Sequence, residues 1–114
     1  MNPIDYDGRR FRQAGDAHVP VGKDRPTGLY HQDGDLVWAE FSGSTILAGR
    51  LVGRRRPDGA IDAAYCWVTT GGETMAGSCL SVPTVLDDGR IRLTERWQRC
   101  DGSVGVSYVE EVET

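Results

Sequence analysis

Hydrophobic and polar residues alternate along much of the chain, most clearly in the segment RIRLTERWQR, Arg90–Arg99. One face of this segment carries Ile91, Leu93, Glu95 and Trp97. The other face carries arginine, threonine and glutamine side chains. A period of two is typical of a β-strand with one buried face and one solvated face. The pattern therefore predicts a strand here, with Glu95 as a carboxylate on its apolar face.

Glycine-containing turn signals separate segments of this kind at nearly even spacing. The signals are Asp33-Gly34, Ser42-Gly43-Ser44, Pro57-Asp58-Gly59, Gly71-Gly72, Asp87-Asp88-Gly89 and Asp101-Gly102. Such loops close β-hairpins because Gly, Asn and Asp tolerate positive φ. The intervening segments predict eight strands, at about Gly8–Gln13, Thr27–Gln32, Asp35–Phe41, Thr45–Arg54, Ala60–Thr70, Glu73–Val82, Arg90–Arg99 and Val104–Val112.

Eight short strands joined by tight turns predict an antiparallel meander. A flat meander exposes two edges, and closure into a barrel removes them. We therefore expect an all-β fold, a single eight-stranded antiparallel barrel domain over residues 1–114, with an irregular segment at about 14–26 and no substantial helix. The interior of such a barrel either fills with side chains or holds one small ligand. An open sandwich is the alternative architecture.

Composition and charge narrow the function classes. The chain has 114 residues, enough for one domain without disulfide or metal staples, and a net charge of −4. The acidic balance and the lack of aromatics interleaved with basic residues argue against a nucleic-acid partner. No apolar window or leader suggests a membrane segment or a secretion signal, so we expect no membrane partner and a cytoplasmic protein. Cys66, Cys79 and Cys100 then read as reduced thiols.

The stretch RQAGDA, Arg12–Ala17, fits a loose pattern for acetyl-CoA pyrophosphate binding. That loop works only where a strand leads into a helix. Pro20 and Pro26 follow instead, and no helical period does. We therefore expect no acetyltransferase and no cofactor. The histidines and cysteines lack metal-ligand spacing, so no metal site is expected.

Five stretches carry a resemblance that covers nearly the whole chain. They are YDGRRFRQAG (Tyr6–Gly15), FSGSTILAGRLVG (Phe41–Gly53), MAGSCLSVP (Met75–Pro83), DGRIRLTERWQ (Asp88–Gln98) and YVEEV (Tyr108–Val112). They resemble a family of small bacterial β-barrels of the calycin group, avidin-like or lipocalin-like, whose members often carry the name N-acetylglutamate synthase. The acetyl transfer in that name does not follow, because the synthases that bear it properly are longer α/β proteins. Cys66-Trp67 and the stretch from Asp16 to Pro26 depart from the family pattern and indicate a specialised member.

Glu95 is the first candidate for chemistry. A carboxylate on an apolar face must be paired, hydrogen-bonded or protonated. A two-residue turn at Asp101-Gly102 would place Tyr108 opposite Glu95 and Val106 opposite Trp97. Glu95 would then be a structural acceptor for Tyr108 or an arginine. The alternative is a ligand-binding group or a general acid/base with a raised pKa.

The aromatic residues are the second set of candidates. They either line a ligand cavity or fill the core of the barrel. On the fifth strand Tyr65 and Trp67 share a face with Ile61 and Ala63, which favours that face as inward. The proposed ligand-binding residues are Tyr30, Trp38, Tyr65, Trp67, Glu95, Trp97 and Tyr108.

Three hypotheses for function follow. The first is a module that binds a small, partly apolar molecule inside the barrel. The second is a cyclase or isomerase of a bacterial biosynthetic pathway, with Glu95 and Tyr108 as catalytic groups. The third is a homodimer that pairs through an outer sheet face formed by Val37, Ala39 and Phe41, provided that Trp38 points inward.

Overall fold

The computed structural model describes residues 4–15 and 25–112, and the strands that they form close into one barrel. The strands are β1 Arg10–Ala14, β2 Thr27–Asp33, β3 Leu36–Gly43, β4 Ile46–Arg55, β5 Ile61–Thr69, β6 Thr74–Val85, β7 Ile91–Arg99 and β8 Val104–Glu111. Each strand pairs antiparallel with the next, and β8 returns to pair with β1. The predicted eight-stranded antiparallel barrel is confirmed, and the described residues contain no helix.

The strand ends differ from the predicted ones most at β6, which continues past Val82 to Val85. From Val82 onward β6 pairs with β7 and no longer with β5. Pro83 fits there because a proline is tolerated where one side of a strand has no ladder partner. Every predicted turn carries a glycine with positive φ, at Gly34, Gly43, Gly59, Gly72, Gly89 and Gly102.

The predicted irregular segment at about 14–26 falls mainly on residues 16–24, which lie outside the described residues. Ala14 is the last residue of β1. The first half of the RQAGDA stretch is therefore strand, and its last two residues lie outside the described part of the chain.

One end of the barrel is closed by the segment that precedes β1. Tyr6 in this segment is fully buried, and its hydroxyl donates to the Gly59 carbonyl at 2.5 Å. The Tyr6 N–H donates to the side chain of Gln32, and Arg55 donates to the Ile4 carbonyl. The Tyr6 ring also packs against Phe11 within the barrel. The segment is thereby fixed to the turn after β4 and to the end of β2, and it plugs this end.

The inward faces of β5 and β7 are those predicted from their alternation. Ile61, Ala63 and Tyr65 are buried on β5, and the residues between them are exposed. On β7 Ile91 and Leu93 are buried, and Glu95 is partly buried on the same face. The barrel core lies between these faces and the plug.

The predicted register between β7 and β8 is wrong by one residue. Glu95 lies opposite Ser107, and Trp97 lies opposite Gly105. The Arg99 N–H donates to the Ser103 carbonyl, so the loop between these residues holds three residues rather than two. Gly102 provides the left-handed conformation that such a loop needs. A shift of one residue turns every side chain of β8 to the other face.

The prediction that Val37, Ala39 and Phe41 form an outer face for a dimer is wrong. Val37 and Ala39 are buried in the core at 0% and 1% exposure, so this face of β3 is the inward one. Trp38 lies between them and therefore points outward, opposite His31 and Val52 on the neighbouring strands. The condition on which the dimer face depended, an inward Trp38, is not met.

Candidate functional site

The half of the barrel away from the Tyr6 plug contains a cavity of about 460 Å³. Its lining includes six of the seven predicted ligand-binding residues, Tyr30, Tyr65, Trp67, Glu95, Trp97 and, at its border, Tyr108. Tyr30 and Glu95 lie deep in the cavity, and Trp67 and Trp97 lie toward the open end. The alternation of the strands thus brings these side chains together across the lumen.

Glycines on neighbouring strands explain why the aromatic rings do not fill this space. A methyl group at Gly105 would overlap the ring of Trp97, and one at Gly49 would overlap the ring of Phe41. A methyl group at Gly77 would likewise meet the Tyr65 side chain, although the backbone oxygen of Gln98 is closer still. Each ring occupies the place that a side chain on the next strand would otherwise take. The rings therefore rest against the barrel wall, and the centre of the lumen stays open.

Arg99 forms part of the mouth and was not among the site residues predicted from the sequence. Its guanidinium lies 4.6 Å from the centroid of the Trp97 ring and 5.8 Å from that of Trp67. Its charge also acts on Tyr65, where it partly offsets the rise in the pKa of the phenol that burial causes. The signal that would have found it is the period of two: the inward face that carries Glu95 and Trp97 reaches Arg99 next. Positive charge over aromatic faces is favourable, and it leaves a basic group at the open end.

Glu95 is held by two serines rather than by Tyr108 or an arginine. Ser81 donates a hydrogen bond to one carboxylate oxygen and Ser107 donates to the other, with an oxygen–oxygen distance of 3.4 Å in each case. Burial raises the pKa of Glu95 to about 6, and the two serine hydrogen bonds counteract this only in part. No arginine or lysine forms an ion pair with Glu95 among residues 4–15 and 25–112. The prediction that Glu95 accepts from Tyr108 or an arginine is therefore wrong, and its hydrogen-bond partners are Ser81 and Ser107.

The other polar groups near Glu95 are uncharged at neutral pH. Burial raises the pKa of Cys79 to about 12, so its thiol stays protonated and is a poor nucleophile. Burial, and to a lesser extent the charge of Glu95, raise the pKa of Tyr30. Ser81 is buried at 1% exposure and uses its hydroxyl on Glu95. Glu95 is therefore the group of this cluster that can change charge near neutral pH.

Trp38 and Tyr108 are the two predicted site residues whose rings lie elsewhere. The Trp38 ring stacks on His31 on the outer face, with centroids 5.2 Å apart. Tyr108 borders the cavity lining, but it pairs with Thr94, which faces outward, and its ring lies under the Arg92 guanidinium at 4.4 Å. Tyr108 points outward because β8 is shifted by one residue from the predicted register. Trp38 points outward because its two neighbours on β3 are the buried residues of that strand.

One of the comparisons with known proteins, the match to a family model, agrees with this architecture. No curated protein and no solved structure gives a significant match to the chain. The described part of the chain has no helix of the length and apolar character that crossing a bilayer requires. A family model described as avidin-like protein matches residues 4–112, nearly the full length. The chain therefore belongs to the avidin-like protein family.

Proposed function

We propose that this protein is a binding module that takes a small, partly apolar molecule into the open half of its barrel. The observation that carries the proposal is the pairing of inward aromatic rings with glycines, which keeps the lumen open. Its volume of about 460 Å³ falls within the range of ligand pockets, ~300–1,000 Å³. A core built only for stability would be filled, because empty space in a core is destabilising.

The lining supports a ligand with a flat apolar body. Trp67 and Trp97 present aromatic surface near the mouth, and Tyr65 stacks on Trp67 with centroids 5.3 Å apart. Such surfaces bind planar groups by stacking and by burial of apolar area. Glu95 adds one polar anchor at depth, which is the usual arrangement of an oriented small-molecule site.

The proposal is tested by calorimetric titration with indole, a neutral planar probe. We expect saturable binding to the wild type and weaker binding to Gly105→Ala, in which the added methyl group displaces the Trp97 ring into the lumen. Gly71→Ala is the matched control: Gly71 lies in a turn with negative φ, and its nearest contact is an ordinary 3.8 Å. Absence of saturable binding to the wild type would overturn the proposal, as would equal affinities of all three proteins.

A second candidate function is an acid–base enzyme, a cyclase or isomerase that uses the same cavity. The observation in its favour is the pKa of Glu95 near 6, which suits proton transfer at neutral pH. Tyr108 does not contribute, since its ring lies on the outer face. Glu95→Gln separates the two functions: a catalyst would lose turnover with binding retained, whereas a binding module would show no turnover in either form.

A further inference from the structure

The interior of the barrel places a carboxylate in an apolar cavity without a cationic partner. Glu95 accepts two hydrogen bonds of 3.4 Å, near the long limit for such bonds. A carboxylate has about four lone-pair sites, so two hydroxyls leave acceptor capacity toward the lumen. A buried charge in this condition is unfavourable unless a partner of opposite charge arrives.

The titratable groups that face Glu95 do not supply that charge. They are Tyr30 on β2, Tyr65 on β5 and Cys79 on β6, and burial keeps all three neutral. On β8 the facing residue is Ser107, which donates a neutral hydrogen bond. The side chains of β1, β3 and β4 that line the cavity are Phe11, Gln13, Phe41, Ile46 and Leu51, none of which titrates.

Arg99 does not neutralise Glu95 either. The two residues share a face of β7 but lie four positions apart, roughly 13 Å along a strand. The guanidinium lies over the Trp97 ring at the mouth. The cavity is therefore acidic at depth and basic at its mouth, with aromatic walls between.

We propose that the ligand of this cavity is a monoamine with a flat apolar body, which enters with its primary or secondary ammonium group first and pairs with Glu95. This inference rests on the binding function proposed above. The apolar body packs against the aromatic wall that Trp67 and Trp97 form. The outer end is neutral or anionic, because Arg99 repels a second cation at the mouth.

The main alternative reverses the roles of donor and acceptor. If Glu95 binds its ligand while protonated, it donates to a carbonyl or hydroxyl oxygen, and affinity rises on acidification. An ammonium ligand requires the ionised carboxylate, so its affinity falls on acidification. The two chemistries thus predict pH dependences of opposite sign.

The experiment compares tryptamine with 3-(2-hydroxyethyl)indole, a neutral analogue that differs in the terminal group, by calorimetric titration of the whole protein. At about pH 7.5 we expect tryptamine to bind at least roughly tenfold more tightly than the alcohol, as for a desolvated charge pair. Because the pKa of Glu95 is about 6, tryptamine should lose roughly tenfold in affinity between about pH 7.5 and pH 5, and the alcohol should lose little.

Two variants assign the effect to Glu95. Glu95→Gln keeps the shape; one serine can still donate to the amide oxygen, and the other hydroxyl can accept from the amide NH2. The variant should abolish both the preference for the amine and the pH dependence. Glu40→Gln removes the same charge from an exposed position on the outer face of β3 and should change neither. If Glu95→Gln does not fold, the pH dependence of the wild type still decides the matter.

The outcomes separate this inference from the proposed function. If indole and the alcohol bind but tryptamine gains nothing, or if affinity for the alcohol rises on acidification, the ammonium inference is overturned and the binding function stands. If Glu40→Gln lowers tryptamine affinity as much as Glu95→Gln, the inference is also overturned, because net charge would then explain the preference. If none of the three probes binds, the binding function itself fails, and the inference fails with it.

Discussion

The two ends of the barrel use the same alternating pattern to opposite effect. At the closed end Val37, Ile61 and Leu93 are each 0% exposed and pack beneath Tyr6. At the open end Trp67 and Trp97 point inward at equivalent positions of the same strands but stay partly exposed. The number of inward side chains is therefore not what separates a packed core from a cavity.

The difference lies in what stands opposite each inward residue on the next strand. At the closed end Ile61 and Leu93 lie opposite Ser81 and Val109, and Gly53 lies opposite Val37 and not opposite an aromatic ring. At the open end Trp97 lies opposite Gly105, and its ring folds over that glycine. A glycine opposite an aromatic residue lets the ring rest against the wall. The cavity thus depends on the pairing of residues across strands as much as on the residues themselves.

The strongest test of this contrast is removal of the plug by Tyr6→Ala. The substitution deletes a fully buried ring and its hydrogen bond to Gly59, and we expect a loss of about 4 kcal/mol in the free energy of unfolding. Tyr6→Phe keeps the ring and removes only the hydroxyl, for which about 1 to 2 kcal/mol is expected. Urea unfolding measures both. If Tyr6→Ala lowered the free energy of unfolding by less than about 1 kcal/mol, the closed end would not be a main source of the stability of the barrel.

The same substitution in the two halves sharpens the comparison further. In Gly53→Ala the new methyl group meets the backbone of Asp62 and Ala63, which cannot turn aside, so we expect a loss of up to about 3 kcal/mol. In Gly105→Ala it meets the distal ring of Trp97, which can rotate into the lumen, so a loss of about 1 kcal/mol is expected. Unfolding curves and indole titrations of both variants provide the measurement. A larger stability loss in Gly105→Ala would contradict the assignment of Gly53 to the packed half.

The sequence predicts the barrel well because alternation and turn glycines are local signals. All eight strands and the inward faces of β5 and β7 follow from them. The register of β8 does not, because a loop of two residues and one of three both fit the letters CDGS at Cys100–Ser103. That single residue decides whether Tyr108 or Ser107 meets Glu95.

The orientation of β3 shows a second limit. LVWAEF alternates, but both of its faces are largely apolar, so the pattern does not say whether Trp38 or its neighbours point inward. The orientation is decided by burial of Val37 in the core cluster that also contains Tyr6, which is a long-range effect. Arg99 was missed for a related reason, since an arginine at a strand end normally indicates solvent and not the mouth of a cavity.

The raised pKa of Glu95 should make the free energy of unfolding depend on pH, and this smaller effect tests whether Glu95 is buried. Its folded pKa of about 6 exceeds the ordinary 4.5, so the folded chain holds this proton more tightly than the unfolded chain. The contribution to stability is complete below pH 4.5 and is lost as pH rises through 6. The expected loss is about 2 kcal/mol, from 1.36 kcal/mol per pKa unit.

The measurement is the difference in unfolding free energy between wild type and Glu95→Gln at several pH values, which removes the contributions of other acids. The two proteins should be similar at about pH 4, and the variant should be more stable by about 2 kcal/mol at about pH 7. Glu40→Gln is the control for net charge. A difference that does not depend on pH would show that Glu95 is solvated.

The smallest expected effect concerns Tyr108, and it tests which strand register builds the open half. The Tyr108 ring lies outside under Arg92, so Tyr108→Phe should leave stability within about 0.5 kcal/mol of wild type and indole affinity unchanged. Tyr65→Phe removes a hydroxyl from the cavity lining itself, so it should weaken tryptamine binding severalfold. If Tyr108→Phe weakened binding as much as Tyr65→Phe, Tyr108 would face the lumen. The loop after β7 would then hold two residues, and Ser107 would no longer reach Glu95.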